Sequence, residues 1–396
     1  MSPKLRTVLI HGGLFLLTFV TTTLAGAEWV YGRNVLAPDF TWNDFFLGLW
    51  YSVPFLLILS VHEFGHYFTA MYHRVRTSLP YYIPFYFPLI PFLLGTMGAV
   101  IRMKSRVVTN KQHFDIGLAG PLAGLVVAVA VLIVGFVWLP EPEYVFQFHP
   151  EYEAYGLDYA DKVYDPQQLE QPVYDVQIGK SLLYQLLETL FADPARIPNP
   201  HEMMHYPLLF AGFLALVFTN INLLPIGQLD GGHILYGLVG FRRHRMVATT
   251  IFVAFLFYSG LGWVSPFQPL EDLLWDIPLY VGLLYLAFTG LKQSPKDTLM
   301  YALLLFAVQY AIAFFIPGVM GYSGWLLFLV VIGRFGVMHP PAEVEVPLSR
   351  GRQWLGWIML VIFILTFSPQ PIDIRLIGPV ESIPSQTAAL PLLRIG

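Results

Sequence analysis

The sequence predicts an all-α polytopic membrane protein, and three observations carry that prediction. Nine apolar windows of spanning length recur along the 396 residues, and only 12% of the residues are charged. Mean hydropathy is +0.60. Soluble domains have about a quarter charged residues, so this chain has too few charges to cover a globular surface. The net charge of -4 gives no reason to expect a nucleic-acid partner.

The apolar windows are long enough to span a bilayer, and their odd number places the two termini on opposite sides. They cover residues 8–25, 46–72, 114–138, 206–224, 246–264, 277–291, 298–316, 323–338 and 354–367. Basic residues gather in alternate loops, on the side that carries Lys4 and Arg74, and acidic loops lie on the other side. Basic loops face the cytoplasm. We therefore expect a bacterial cytoplasmic (inner) membrane, with the N-terminus in the cytoplasm.

The first window has two interpretations. Its basic start and the sequence Ala25-Gly26-Ala27 resemble a secretory signal with a cleavage site. The apolar run is long for a signal core, however, and can span as it stands. We expect residues 1–45 to form a retained first helix and its loop.

Polar residues interrupt the second window at His62, Glu63 and His66. Residues four apart share one face of a helix, so the two imidazoles can bind one metal ion. Glu63 is then placed to take a proton from water. Two histidines packed against neighbouring helices are the alternative. A charged acid inside a membrane helix costs about 2.5–3.5 kcal/mol, which favours a functional role.

Residues 79–103 are apolar but contain prolines at positions 80, 84, 88 and 91, which would break a spanning helix. We expect a re-entrant segment that ends in an extended piece at 95–103. Irregular backbone at membrane depth lines a cavity or is buried by protein, and an extended edge can accept a peptide strand. A loop lying flat at the interface is the alternative.

Residues 140–200 form a soluble insertion, which is acidic and rich in tyrosine. We expect an amphipathic helix at 176–191; a lid over the active site and a plain surface cap are both open. A second match to the zinc pattern follows at His201-Glu202-Met203-Met204-His205. Flanking prolines leave room for at most a short turn of helix, so we expect a helix start or a gate there and not a metal site.

The third metal ligand must be a carboxylate or a histidine, because the chain has no cysteine. Asp230 is the best candidate, since a carboxylate next to a helix broken at Pro225 can reach imidazoles on a neighbouring helix. A helix N-cap is the alternative role for Asp230, and His233 is the alternative ligand. The amide of Asn222, one turn before the break, can bind a substrate backbone or a developing oxyanion.

Three short motifs, HEFGH at 62–66, NLLP at 222–225 and LDGG at 229–232, together resemble the site-2 protease family of intramembrane zinc metalloproteases. GTMGAVIRM at 95–103 and FDIGLAGPLAG at 114–124 resemble the branch with bacterial and plant plastid members. The resemblance implies a three-helix catalytic core that binds Zn²⁺, with further transmembrane helices and the re-entrant extended segment added to it. It implies that His62, His66 and Asp230 are the zinc ligands, Glu63 is the base, and Asn222 assists binding.

The same resemblance implies that a substrate strand docks on one edge, formed by Gly95, Thr96, Met97, Gly98, Ala99 and Val100. The expected function is hydrolysis of peptide bonds in or near transmembrane segments of membrane proteins within a lipid bilayer. We expect residues 46–245 to form the catalytic membrane core, and 246–396 to add helices and a tail. One departure is that we find no peptide-binding module of the kind many bacterial members carry.

Two other classes of protein fit the sequence less well. A transporter needs polar residues on several spans, and the later windows have almost none apart from Gln309 and Arg334. A catalytically silent scaffold would normally have a damaged HEFGH motif, and this motif is intact.

Overall fold

The computed structural model describes residues 2–165, 169 and 173–378. The remainder of the expected insertion and the expected tail from 379 onward lie outside these residues. Helices dominate the described chain, so the predicted helical membrane protein is confirmed. Within the part described, five helices are long and apolar enough to cross a membrane: Leu5–Tyr31, Trp42–Tyr72, Asn110–Val137, Leu270–Leu291 and Pro295–Phe315.

The elements follow one another in a mainly helical order. The N-terminal half contains α1 (Pro3–Tyr31), α2 (Trp42–Leu47), α3 (Leu49–Tyr72), β1 (Tyr81–Phe85), β2 (Gly95–Val100), α4 (Asn110–Val137), α5 (Ala160–Val163), β3 (Val173–Ile178), α6 (Leu182–Phe191) and α7 (Pro207–Leu223). The C-terminal half contains α8 (Asp230–Gly260), α9 (Leu270–Phe288), α10 (Pro295–Phe315), α11 (Gly324–Phe335), α12 (Arg350–Thr366) and β4 (Ile372–Ile377).

All nine apolar windows form helices, but several have different lengths from those expected. The fourth and eighth windows give α7 with 17 residues and α11 with 12 residues, which are short for a span. The fifth gives the 31-residue α8, which begins at Asp230 and kinks at Gly240. The kink is permitted because Gly240 has a φ of 74°, a left-handed value that costs glycine little.

The described chain divides into two compact units. The first contains the residues up to Arg106, Ala119–Ile221 and the described residues from Phe363 onward. The second contains Val107–Leu118 and Asn222–Ile362.

Helices α3, α4 and α7 pack together as a three-helix core in the first unit. Small residues allow this: a Cβ on Gly65 of α3 would lie 2.7 Å from the carbonyl oxygen of Ala119 on α4. A Cβ on Gly212 of α7 would lie 2.6 Å from the Leu132 side chain of α4. Tyr51 of α3 and Phe210 of α7 complete the triangle with ring centroids 5.6 Å apart. Close approach through glycine is typical of membrane helices.

The extended piece expected after the proline-rich segment is confirmed as β2, which pairs antiparallel with β1. The pairing contains a bulge, because Tyr82 faces Ala99 and Pro84 faces Thr96, so that two residues of β2 oppose one of β1. Helix α1 packs closely against the hairpin, since a Cβ on Gly95 would lie 2.4 Å from the Cα of Thr22.

The prediction of one helix over residues 176–191 is wrong at its start. Residues 173–178 form β3, and the helix is only α6, which begins after the N-cap Ser181. β3 pairs antiparallel with β4 from the end of the described chain, from Val173 opposite Ile377 to Ile178 opposite Ile372. A strand whose partner lies more than 200 residues away along the chain, as Ile377 does from Val173, leaves little local signal of the pairing in the sequence.

The second unit buries Gln309, one of the two polar residues noted in the later windows, whereas Arg334 is exposed. The side-chain oxygen of Gln309 accepts a hydrogen bond from the Tyr280 hydroxyl at 2.7 Å. Its amide nitrogen donates to the carbonyl oxygens of Leu256 and Phe257 at 3.1 and 2.9 Å. Gln309 is therefore satisfied within the helix bundle, and nothing about it calls for an ion path.

Candidate active site

The HEFGH motif lies in the middle of α3, and all three of its polar side chains are buried. His62, Glu63 and His66 are 5%, 5% and 7% exposed. The Nε2 atoms of the two histidines lie 3.0 Å apart, on the same face of the helix. Two nitrogen ligands at about 2.0–2.1 Å from a tetrahedral zinc ion lie about 3.3 Å apart. The spacing of the imidazole pair is thus close to that of two nitrogen ligands on one zinc ion.

Glycines of α4 make room for these imidazoles. A Cβ on Gly120 would lie 2.1 Å from Nε2 of His66, the atom that would bind the metal. A Cβ on Gly124, one turn later, would lie 3.0 Å from Cβ of His62. Only glycine leaves this space at position 120, so part of the small-residue motif FDIGLAGPLAG serves to shape the site.

The NLLP and LDGG motifs lie in the second unit. They form the last residues of α7, the tight turn that follows it and the start of α8. Asn222 lies in the last turn of α7, which ends at Leu223. Gly227 has a φ of 57°, and a Cβ on Gly231 would lie 1.8 Å from the carbonyl oxygen of Leu223. The two glycines after Asp230 therefore let the start of α8 fold back against the end of α7.

Asp230 is the first residue of α8, and Leu229 occupies the N-cap position without a side-chain hydrogen bond. The N-cap role that was the alternative for Asp230 is therefore not observed. His233, the alternative ligand, belongs to a histidine cluster within the second unit. Its Nδ1 lies 2.7 Å from Nε2 of His339, and its ring stacks on His113 with centroids 5.2 Å apart.

β2 presents an exposed side at the bulge. Met97 is 63% exposed, whereas its neighbour Thr96 is buried. The Thr96 hydroxyl donates to the carbonyl oxygen of Ile83 at 2.8 Å and accepts from the backbone N–H of Gly98 at 3.0 Å. Within the described residues no third strand pairs with this hairpin.

The second zinc-pattern match forms only a short 3₁₀ turn at Met203–His205, as the flanking prolines predicted. Its first histidine does not join Glu202 and His205, because His201 Nδ1 contacts Asp175 Oδ1 instead, at 2.5 Å. Glu202 and His205 are instead joined by His149, which sequence reasoning did not identify. Burial lowers the pKa of His205 to about 4, so its imidazole is neutral near pH 7.

Comparison with known proteins identifies relatives of this chain. A family model described as Peptidase family M50 matches residues 50–261. The chain is 32% identical over 191 residues to "Probable zinc metalloprotease EGY1, chloroplastic" of Oryza sativa subsp. japonica. The matched segment covers 47% of this chain and 27% of that protein. The protein of the same name from Arabidopsis thaliana is 33% identical over 197 residues, 50% of this chain and 30% of the relative.

A third relative, "Probable zinc metalloprotease EGY2, chloroplastic" of Arabidopsis thaliana, is 24% identical over 205 residues, 52% of this chain and 30% of that protein. The matched segments thus span less than a third of these relatives. No solved structure matches this chain significantly.

Replacing Gly120 with alanine tests how closely α4 must approach the imidazoles. The added methyl group would overlap His66 Nε2, so we expect Gly120→Ala to weaken metal binding about tenfold or more. Zinc per chain, measured by mass spectrometry after dialysis, checks this. Gly282→Ala on α9 is the control, because nothing lies within 4 Å of its added Cβ. Unchanged zinc in Gly120→Ala would show that the glycine does not shape the site.

Proposed function

Because this chain belongs to peptidase family M50, we propose that it is an intramembrane zinc metalloprotease. Its substrates would be membrane proteins, cleaved at peptide bonds in or near their transmembrane segments. The observation that carries the proposal is the buried imidazole pair of His62 and His66, 3.0 Å apart on α3 with Glu63 beside them. Such groups are costly inside an apolar helix and mark functional sites.

We assign His62, His66 and Asp230 as the zinc ligands. The first two are supported by the spacing of their Nε2 atoms and by the space that Gly120 leaves. Asp230 is supported by its place at the start of α8, directly after the broken end of α7, and by the lack of cysteine. Two histidines and one carboxylate form a usual donor set for catalytic zinc.

The chain's own residues would transfer the protons and orient the substrate. When bound, Zn²⁺ supplies Lewis acidity, which polarises the scissile carbonyl and makes water a better nucleophile. Glu63 accepts the proton of the attacking water and returns it to the leaving amine. Asn222 donates its amide to the substrate backbone, or to the oxygen on which negative charge develops.

The substrate must unwind before it is cleaved, because amides within a helix are hydrogen-bonded and shielded. We propose that an unwound segment adds to the edge of β2, formed by Gly95, Thr96, Met97, Gly98, Ala99 and Val100. The exposed Met97 and the bulge support this assignment, since bulges often lie next to active sites. The hydroxyl of Thr96 already binds the N–H of Gly98, so that group is not available to a substrate.

Five apolar helices among the described residues indicate an integral membrane protein. The names of the relatives place those proteins in chloroplasts, which disagrees with the bacterial inner membrane expected from the sequence. We propose only the orientation, with the N-terminus on the side of the basic loops and the insertion on the opposite side.

Glu63→Gln tests the role of the base. The amide cannot accept a proton, so we expect turnover to fall by about 10²–10⁴ while zinc stays bound. Cleavage of a transmembrane reporter and zinc per chain are measured on the same purified sample. A Glu63→Gln protein that has lost its zinc would contradict the assignment of Glu63 as a base that does not bind the metal.

Met97→Pro tests strand addition at β2. Proline removes the backbone N–H at the bulge, so we expect a higher KM for the reporter with little change in the melting temperature. Met97→Ala is the matched control, because it shortens the same side chain and keeps the N–H. Equal KM values for the two variants would rule out a backbone contact at this position.

A further inference from the structure

A second group of side chains with the chemistry of metal ligands brings the insertion together with the residues that directly follow it, in the first unit. His149 directly precedes the 3₁₀ helix Pro150–Asp158, Glu202 directly precedes the short turn Met203–His205, and His205 is the last residue of that turn. Three of their atoms converge. His149 Nε2 lies 3.3 Å from His205 Nε2 and 3.7 Å from Glu202 Oε2, and His205 Nε2 lies 3.4 Å from the same Oε2.

This triangle has the size of one face of a zinc coordination sphere. Ligands at about 2.0–2.2 Å in a tetrahedral arrangement are separated by about 3.3–3.6 Å, and all three measured separations are close to that range. Glu202 and His205 are buried, and His149 is partly exposed. A cation can therefore reach the three atoms, while the carboxylate is removed from bulk water.

Surrounding hydrogen bonds fix which atom of each side chain points to the centre. Nδ1 of His205 lies 2.5 Å from the carbonyl oxygen of Val30, and Nδ1 of His149 lies 3.2 Å from Glu151 Oε1. Both partners are acceptors, so each Nδ1 must be the donor. The other oxygen of Glu202 accepts a hydrogen bond from the Tyr164 hydroxyl. Outer hydrogen bonds of this kind orient metal ligands.

The three converging atoms have the chemistry of a divalent-cation site. With each Nδ1 protonated, a neutral imidazole presents a lone pair at Nε2. Two imidazole nitrogens and a carboxylate oxygen thus lie within 3.7 Å of one another. A divalent cation satisfies all three, because histidine and carboxylate are ligands that zinc prefers.

We propose that His149, Glu202 and His205 bind a second divalent cation of the zinc class, outside the catalytic centre. The ion would join the insertion to the turn before α7 and, through His205 and Val30, to the end of α1. This reverses the expectation drawn from the second zinc-pattern match. The proposed ligands differ from those of the motif, because His149 takes the place of His201. His201 instead binds Asp175 and stacks on Tyr164 with centroids 3.9 Å apart.

The experiment isolates this site in a His66→Ala background, which removes a ligand of the proposed catalytic zinc. The full chain is purified in detergent, loaded with Zn²⁺ and dialysed, and zinc per chain is measured. We expect two equivalents in the wild type, one in His66→Ala, and none in His66→Ala/His149→Ala. His66→Ala/His201→Ala is the matched control and should keep one equivalent, because His201 does not face the cluster.

Glu202→Gln in the same background guards against a folding artefact, since it keeps the shape of the side chain. We expect it to lose the remaining zinc, and we expect added Zn²⁺ to raise the melting temperature of His66→Ala but not of this variant. Zinc that remains at one equivalent in both His149→Ala and Glu202→Gln would overturn the proposal. A wild type with one equivalent, lost in His66→Ala, would also overturn it but would leave the proposed protease intact.

Discussion

The cost of burying polar side chains in an apolar helix is the constraint on which this structure depends. His62, Glu63 and His66 lie in the middle of α3, each no more than 7% exposed. Buried groups of this kind need hydrogen-bonding or metal partners within the protein, because the membrane interior has no water to take that role. A metal ion shared by the two imidazoles, with a carboxylate beside it, would meet that need and would at the same time give the chain its proposed chemistry.

Close packing of helices follows from the same constraint. α4 must approach α3 closely enough to enclose the imidazoles, and glycine at position 120 is what allows this without overlap. Small residues at Gly65 and Gly212 repeat the arrangement along the three-helix core. Glycines at these three positions therefore serve the site as well as the packing, because at each of them another element comes within van der Waals distance.

Much of the fold could be predicted from the sequence, because apolar windows and the HEFGH spacing are local signals. The helical class, the extended piece at β2 and the break before Asp230 all follow from such signals. The pairing of β3 with β4 could not be predicted, since Val173 and Ile377 are far apart in the chain and no local pattern shows which segments pair. His149 was missed for the same reason, because no motif links it to Glu202 and His205.

The central claim is that His62, His66 and Asp230 bind the catalytic zinc, and its most direct test is the zinc content of Asp230→Ala beside that of the wild type and His62→Ala. The account predicts that each of the two variants loses one equivalent of zinc relative to the wild type. Zinc that is lost in His62→Ala but retained in full by Asp230→Ala would contradict it, and would mean that another residue supplies the third ligand.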